Sequence, residues 1–249
     1  MMRPLGISAF VRCKNEEEYI VASLMSAYRI FDEIVVILNN SSDRTRELIQ
    51  FLMKNRPKIR LLEYPNQCAP AGVGYFDKVV ADPEASLAKY YNWCLEQTSF
   101  SHVCKWDGDM IGLPTLEDVR RDLDSYDAVA FDGYDILGEN TTDCESRIFR
   151  YDSIRARYVD WDLYEILQHD YSRMRIIEPK CYVHMKLVKN DWLDKQWQNP
   201  NDRAERSVPP TGAASSSKYR RLLRSVVTPG MRSALKRLRF RSRKQTTTT

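Results

Sequence analysis

The chain lacks several things that would place it in a well-marked class. No apolar run approaches the roughly 20 residues that span a bilayer; the most apolar stretch is Ile34 to Leu38, IVVIL. The N-terminal MMRPLGISAFVRCKNEEE meets charge too soon to form the apolar core of a secretory signal, and no small-residue cleavage site follows it. These two absences lead to the expectation of a cytosolic chain. Six cysteines (Cys13, Cys68, Cys94, Cys104, Cys144, Cys181) are scattered with no C-x-x-C pair. That spacing speaks against a zinc site and a disulfide framework, and for reduced, mostly buried thiols. The first strand is followed by FVRCKNEEE, which has no glycine. That argues against the glycine-rich phosphate loop expected of a nucleotidyltransferase. No internal repeat is present.

Acidic residues are also missing from one part of the chain. After Glu205 there is no Asp or Glu, yet 12 of the 38 Lys and Arg residues fall there. With all 34 acidic residues before that point, residues 1–205 are net −8 and the remainder strongly basic. SVPPTGAASSS, Ser207 to Ser217, has linker composition. Beyond it, Tyr219, Leu222, Leu223 and Val226, then Met231, Ala234, Leu235 and Leu238, fall at helical spacing on either side of Pro229-Gly230. Two short basic amphipathic helices suit an anionic membrane surface over 218–244, at about 1 kcal/mol per basic residue. The apolar stripe and the acidic body speak against nucleic acid as the partner. The division expected is therefore 1–205 as one domain, 206–217 as linker and 218–249 as tail.

The first 205 residues read as alternating strands and helices. GISAFVR is a strand, and NEEEYIVASLMSAYRI a helix with acidic residues in its first turn. DEIVVIL shows no alternation, as expected of a strand in a parallel sheet covered on both faces. Asp43 or Ser42 would cap the helix RTRELIQFLMKN, and KIRLLEYP follows as a third strand. After a long connection, 66–83, come the helix EASLAKYYNWCLEQT and the strand SHVCKWDGDM. YDAVAFDGYDI and SRIFRY read as strands, LEDVRRDLDS as a charged helical stretch, DWDLYEILQH as a short helix and PKCYVHMK as a late strand.

The pattern D-x-D occurs three times, at Asp107/Asp109, Asp122/Asp124 and Asp160/Asp162, so spacing alone carries little. Only the first pair follows an apolar strand in a βαβα series, and ligands of open α/β sheets bind outside the carboxyl ends of the strands. Gly108 between them would let the backbone turn so that both carboxylates face one cleft.

SAFVRCKNEEEYI, FDEIVVILNNSSDRT, KWDGDM, ESRIFR and VHMK, taken in order, resemble the family 2 glycosyltransferases of GT-A fold, the bacterial and viral type that builds lipopolysaccharide and surface glycans. The likeness spans about residues 5 to 190. It implies a mixed, mostly parallel sheet flanked by helices, a nucleotide-sugar donor, Mn²⁺ or Mg²⁺, and inversion at the anomeric carbon onto a glycan or lipid-linked acceptor. Carried over by position, Arg12, Asn15 and Glu16 would lie beside the nucleotide. Asn39 stands where the family usually has an acidic residue that reads the base. Lys89 and Asn92 would face the donor from the preceding helix. Asp109 would be the main metal ligand and Asp107 its partner, also touching the donor. His184 would complete the metal shell, and Lys186 would neutralise diphosphate.

Hard carboxylate oxygens suit such an ion, which offsets the charge on the departing diphosphate; imidazole tolerates Mn²⁺ better than Mg²⁺. Inversion needs one general base. The resemblance offers Glu165 first and Asp162 second, three residues apart on one helical face. Trp161, Tyr164 and Trp192 are candidates for stacking on a sugar. The alternative that Asn39 leaves open is a GT-A-like nucleotide- or glycan-binding protein without turnover, tethered to membrane by the tail.

Overall fold

The computed structural model describes residues 3–136, 144–152 and 155–186. A first compact unit runs Met1–Gln198. The linker and tail expected at 206–217 and 218–249, with Trp192, lie outside the described residues.

The first half winds β1 (Ile7–Cys13), α1 (Ile20–Ala27), β2 (Glu33–Leu38), α2 (Thr45–Met53), β3 (Ile59–Glu63), α3 (Tyr75–Ala81), α4 (Leu87–Glu96) and β4 (His102–Asp107). Then follow β5 (Met110–Gly112), β6 (Ala128–Phe131), β7 (Gly133–Asp135), β8 (Glu145–Arg150), β9 (Ala156–Asp160), β10 (Glu165–His169), β11 (Met174–Ile176) and β12 (Tyr182–His184). Seven strands form the main sheet in the order β11-β6-β8-β4-β1-β2-β3. Every pairing in it is parallel except the two made by β8. The mostly parallel sheet inferred from the sequence is thus the one observed.

The sheet is buried on both sides. Ile7, Ala9, Val11 and Cys13 of β1 pack with α1, α2, Trp106 and Phe31, whereas Phe10, Val35 and Ile37 pack with Tyr90, Tyr91 and Cys94 of α4. All six residues of β2 are buried, which is why it shows no polar alternation. Along β1 and β4, therefore, Phe10, Arg12, Val103, Lys105 and Asp107 share the α4 side. The register pairs Phe10 with Lys105 and Arg12 with Asp107. Cys13, Cys94, Cys104 and Cys181 are buried, Cys68 partly so and Cys144 exposed; all six are free thiols. No described helix is long and apolar enough to cross a membrane.

Local signals mislead in five places. The segment read as a helix over DWDLYEILQH is the β9–β10 hairpin, with Glu165 opposite Asp160 and Leu167 opposite Tyr158. Its local helix pattern yields because Tyr158 is buried against Phe10 and Tyr91, and both backbone groups of Tyr158 are bound by Asn92. The helix expected from Asn15 starts at Ile20 instead, with no acidic residue in its first turn. Glu16 and Glu17 are drawn out of helix by backbone N–H bonds to Thr45 Oγ1 (2.8 Å) and Asp43 Oδ2 (3.0 Å). LEDVRRDLDS is not one helix but two 3₁₀ turns, Pro114–Arg120 and Leu123–Ser125, broken at Asp122 with φ 54°. YDAVAFDGYDI divides at Asp132, so that β6 joins the main sheet and β7 a second sheet ordered β5-β12-β7. The long connection contains α3, entered through Gly74 at φ 76°.

Asp160 ties this second half to α3 and α4. Its Oδ2 accepts from Ser86 Oγ (2.6 Å), and its Oδ1 accepts from the Ala88 N–H (3.0 Å) and the Tyr75 hydroxyl. Asp160→Ala is expected to lower the unfolding free energy by about 3 kcal/mol in urea titrations, the scale of losing hydrogen bonds to a charged group and stranding their donors.

Candidate active site

The carboxyl ends of β1 and β4 bring together charges far apart in sequence. Arg12 Nη2 donates to Asp107 Oδ1 at 2.5 Å, and its guanidinium lies 4.0 Å from the centre of the Tyr91 ring. Arg147 Nη1, from β8, lies 3.9 Å from Asp107 Oδ2. Burial alone would raise the Asp107 pKa; the surrounding Arg12, Lys105, Arg147 and His184 outweigh it and hold the carboxyl far below its usual range. The loop itself is anchored on α1. The Trp106 indole N–H donates to Ser23 Oγ (3.0 Å), and Ser23 Oγ donates to the Asp107 carbonyl (3.0 Å).

Asp109 turns the other way. It is buried, and its Oδ1 lies 3.2 Å from His184 Nε2. Strand pairing accounts for the meeting: His184 is opposite Met110 in the β5–β12 ladder, and the Met185 N–H donates to the Asp109 carbonyl (2.9 Å). Gly108 serves a different end from the one the sequence suggests. Its φ is not positive; a Cβ there would stand 2.9 Å from Glu16 Cγ and 3.1 Å from Cys13 Sγ. Glycine is needed for close approach, and the neighbour that demands it is Glu16.

Glu165, at the start of β10, is buried with its Oε1 3.6 Å from Lys105 Nζ. Burial, with the Glu165 carboxylate among the groups around it, raises the Tyr91 pKa well above the ordinary value, so the phenol stays protonated. Asp162 does not share its face. It lies exposed in the hairpin turn, where its carbonyl accepts from the Phe76 N–H.

The other residues drawn from the sequence have the following places. Asn15, at φ 56°, accepts through Oδ1 from the Ser42 N–H (2.8 Å) and clamps two loops together. Asn39 Nδ2 donates to the Asn66 carbonyl (2.6 Å), and its Oδ1 accepts from the Cys68 N–H (3.5 Å), so its amide holds the loop after β3. Asn92 holds the Tyr158 backbone through both ends of its amide, each at 2.9 Å. Lys89 is half exposed and paired with Glu84. Lys186 is exposed two residues beyond His184.

Three residues given no role from sequence belong to the cluster: Lys105, Arg147 and Tyr91. Strand alternation could have signalled Lys105, which shares a face with Asp107 in KWD. Nothing local signals Arg147. Its side chain is 7% exposed, between Asp107, Glu145 and the Tyr182 ring, and only the sheet order makes it a neighbour of β4.

Because the folded protein holds the Asp107 proton less tightly than the unfolded chain does, the stabilisation is present above about pH 4, the ordinary Asp value, and is lost as pH falls below it. Urea titrations between pH 6 and 2 are expected to show wild-type stability falling through this acid window. Asp107→Asn should show a shallower fall.

Residues 8–72, which carry β1 to β3, match the family described as Glycosyl transferase family 2. No curated protein matches the chain. Among solved structures, S. aureus TarS 1–349 superposes with a TM-score of 0.52 at 12% identity, over 82% of this chain and 76% of that one. The same TarS segment in complex with UDP gives 0.50 at 13%, with the same coverage. At such identities the likeness is one of fold. Over residues 8–72 the chain is thus similar to the family 2 glycosyltransferases, and over most of its length it has the mixed, mostly parallel α/β fold of TarS.

Proposed function

We propose that the enzyme transfers a sugar, with inversion, from a nucleotide-sugar donor to a glycan or lipid-linked acceptor, and that a divalent metal, Mn²⁺ or Mg²⁺, assists. The observation that carries this reading is the cluster of Arg12, Lys105 and Arg147 around Asp107 at the ends of β1 and β4, with the Asp109–His184 pair directly after it, the position where open α/β sheets take their ligands. TarS, whose fold this chain shares, is solved with UDP, which supports a nucleoside diphosphate as the donor's leaving half.

The donor set suits the metal. Asp109 and His184 offer a carboxylate oxygen and an imidazole nitrogen 3.2 Å apart, and a hard cation of this kind is commonly held by one or two protein ligands with phosphate and water supplying the rest. Among the described residues no group of three or more His, Cys, Asp and Glu gathers at one point, so donor phosphate would complete the shell. Asp107, with one oxygen on Arg12, is the less available of the two aspartates. Bound there, the ion would offset the charge that develops on the diphosphate.

The chain's own groups supply the rest. Arg12 and Arg147 keep positive charge at the mouth of β1 and β4, where the donor's diphosphate would sit. Glu165 takes the proton of the acceptor hydroxyl as its oxygen bonds to the anomeric carbon. The bond from that carbon to the phosphate oxygen breaks on the opposite side, and the nucleoside diphosphate departs with the electron pair. Trp161 and Tyr164, each 38% exposed at the tip of the hairpin that bears Glu165, are placed to stack on an acceptor sugar.

Nucleotide release from UDP-glucose, UDP-N-acetylglucosamine and GDP-mannose in Mn²⁺ measures this directly. Asp109→Ala is expected to reduce turnover at least 100-fold at fixed Mn²⁺; wild-type turnover in that variant would remove the metal assignment.

The basic segment 218–244, read from its sequence, is proposed to hold the enzyme on an anionic membrane, at the cytoplasmic face. Removing 218–249 should abolish flotation with phosphatidylserine vesicles while leaving nucleotide release intact. Unchanged flotation would rule the tail out as the anchor.

A further inference from the structure

We propose that Lys105 is the positioning residue for Glu165, turning the base carboxylate toward the acceptor, and that the Tyr91 ring steadies the lysine. The inference rests on Glu165 being the base. Glu165 is 8% exposed, and a buried carboxyl group takes its orientation from the partners packed against it. The cation nearest it is the Lys105 ammonium, 3.6 Å from Oε1. Arg12 acts on Glu165 from farther off and is committed to Asp107 at 2.5 Å.

The geometry separates two carboxylates that would otherwise compete for the same cations. Both cations lie against the Tyr91 ring, Arg12 4.0 Å from its centre and Lys105 5.2 Å from it. Each cation is held against an aromatic surface, and the close contacts are Arg12 with Asp107 and Lys105 with Glu165. The Tyr91 ring thus lies against the lysine that faces Glu165. Tyr91 is in turn fixed by edge contacts with Phe10 at 6.1 Å and Tyr158 at 4.6 Å. Tyr158 belongs to β9, the strand paired with β10, so the hairpin that carries Glu165 packs directly against the Tyr91 ring. β4 thus supplies both charges: Asp107 at the donor side and Lys105, two residues earlier on the same face, at the base.

The test compares Lys105→Met and Lys105→Arg in the wild-type and Glu165→Gln backgrounds, with nucleotide release from a hydrolysed donor of the panel above as activity. UDP with Mn²⁺ serves as the binding probe and thermal melting as the check on folding. Lys105→Met should lower kcat at least ten-fold with the UDP Kd unchanged within two-fold, and Lys105→Arg should recover most of the loss. In the Glu165→Gln background Lys105→Met should cost nothing further, because the group it positions is gone. An equal loss in both backgrounds, or a UDP Kd that rises with the loss of kcat, would overturn the proposal in favour of a direct phosphate contact. Wild-type kcat in Lys105→Met beside a crippled Glu165→Gln would overturn it alone. Wild-type kcat in Glu165→Gln would overturn the base assignment itself. Should Lys105→Met melt early, Lys105→Gln, which keeps a polar tip, carries the same comparison.

Discussion

The register of β1 against β4 is the constraint on which the site depends. It sets Arg12 opposite Asp107 at the last paired position of two parallel strands, and it fixes on which side of the sheet their side chains emerge. Slipping that pairing by one residue would turn Asp107 and Lys105 into the α1 core and bring Trp106 out on the α4 side. Trp106, fully buried and bonded to Ser23, is what makes such a slip costly. An apolar residue on one face thus holds the charged residues of the other in place.

Each acidic group around this point has a separate retinue. Asp107 is surrounded by guanidinium groups, Asp109 faces His184, and Glu165 faces Lys105 and Tyr91. In a poorly hydrated region, unpaired carboxylates would repel one another and take up protons. Partner assignment lets several acidic groups sit within a small volume at the ends of β1 and β4. The division also separates labour between the aspartates: one is committed to arginine, the other stands with an imidazole.

Several polar residues near the site are structural. Asn92 holds β9 to α4, Asn15 joins two loops, and Asn39 secures the chain after β3. Each satisfies backbone groups that a loop at the end of a buried sheet would leave without partners. Position relative to the family pattern places these residues beside a donor, and in the folded chain their amides also hold the scaffold.

Much of the first half was legible in the sequence because its signals are local. Apolar runs such as IVVIL, the helical spacing in α4 and the strand before Asp107 depend on residues within one element. The second half was not, because its structure rests on pairing between segments: Tyr158 with α4 turns a helix-like run into a hairpin, and β12 with β5 brings His184 to Asp109. The residue types for the chemistry, two aspartates, a histidine and a late glutamate, were written in the chain. Which cation meets which carboxylate was decided by sheet order, since Lys105, Arg147 and Tyr91 become neighbours of Asp107 and Glu165 only when β8, α4 and the hairpin close around β4. Sequence by itself determined the inventory of charges and the faces of single strands; the tertiary structure decided the pairings, because burial makes each charge take a partner from whatever element is packed against it.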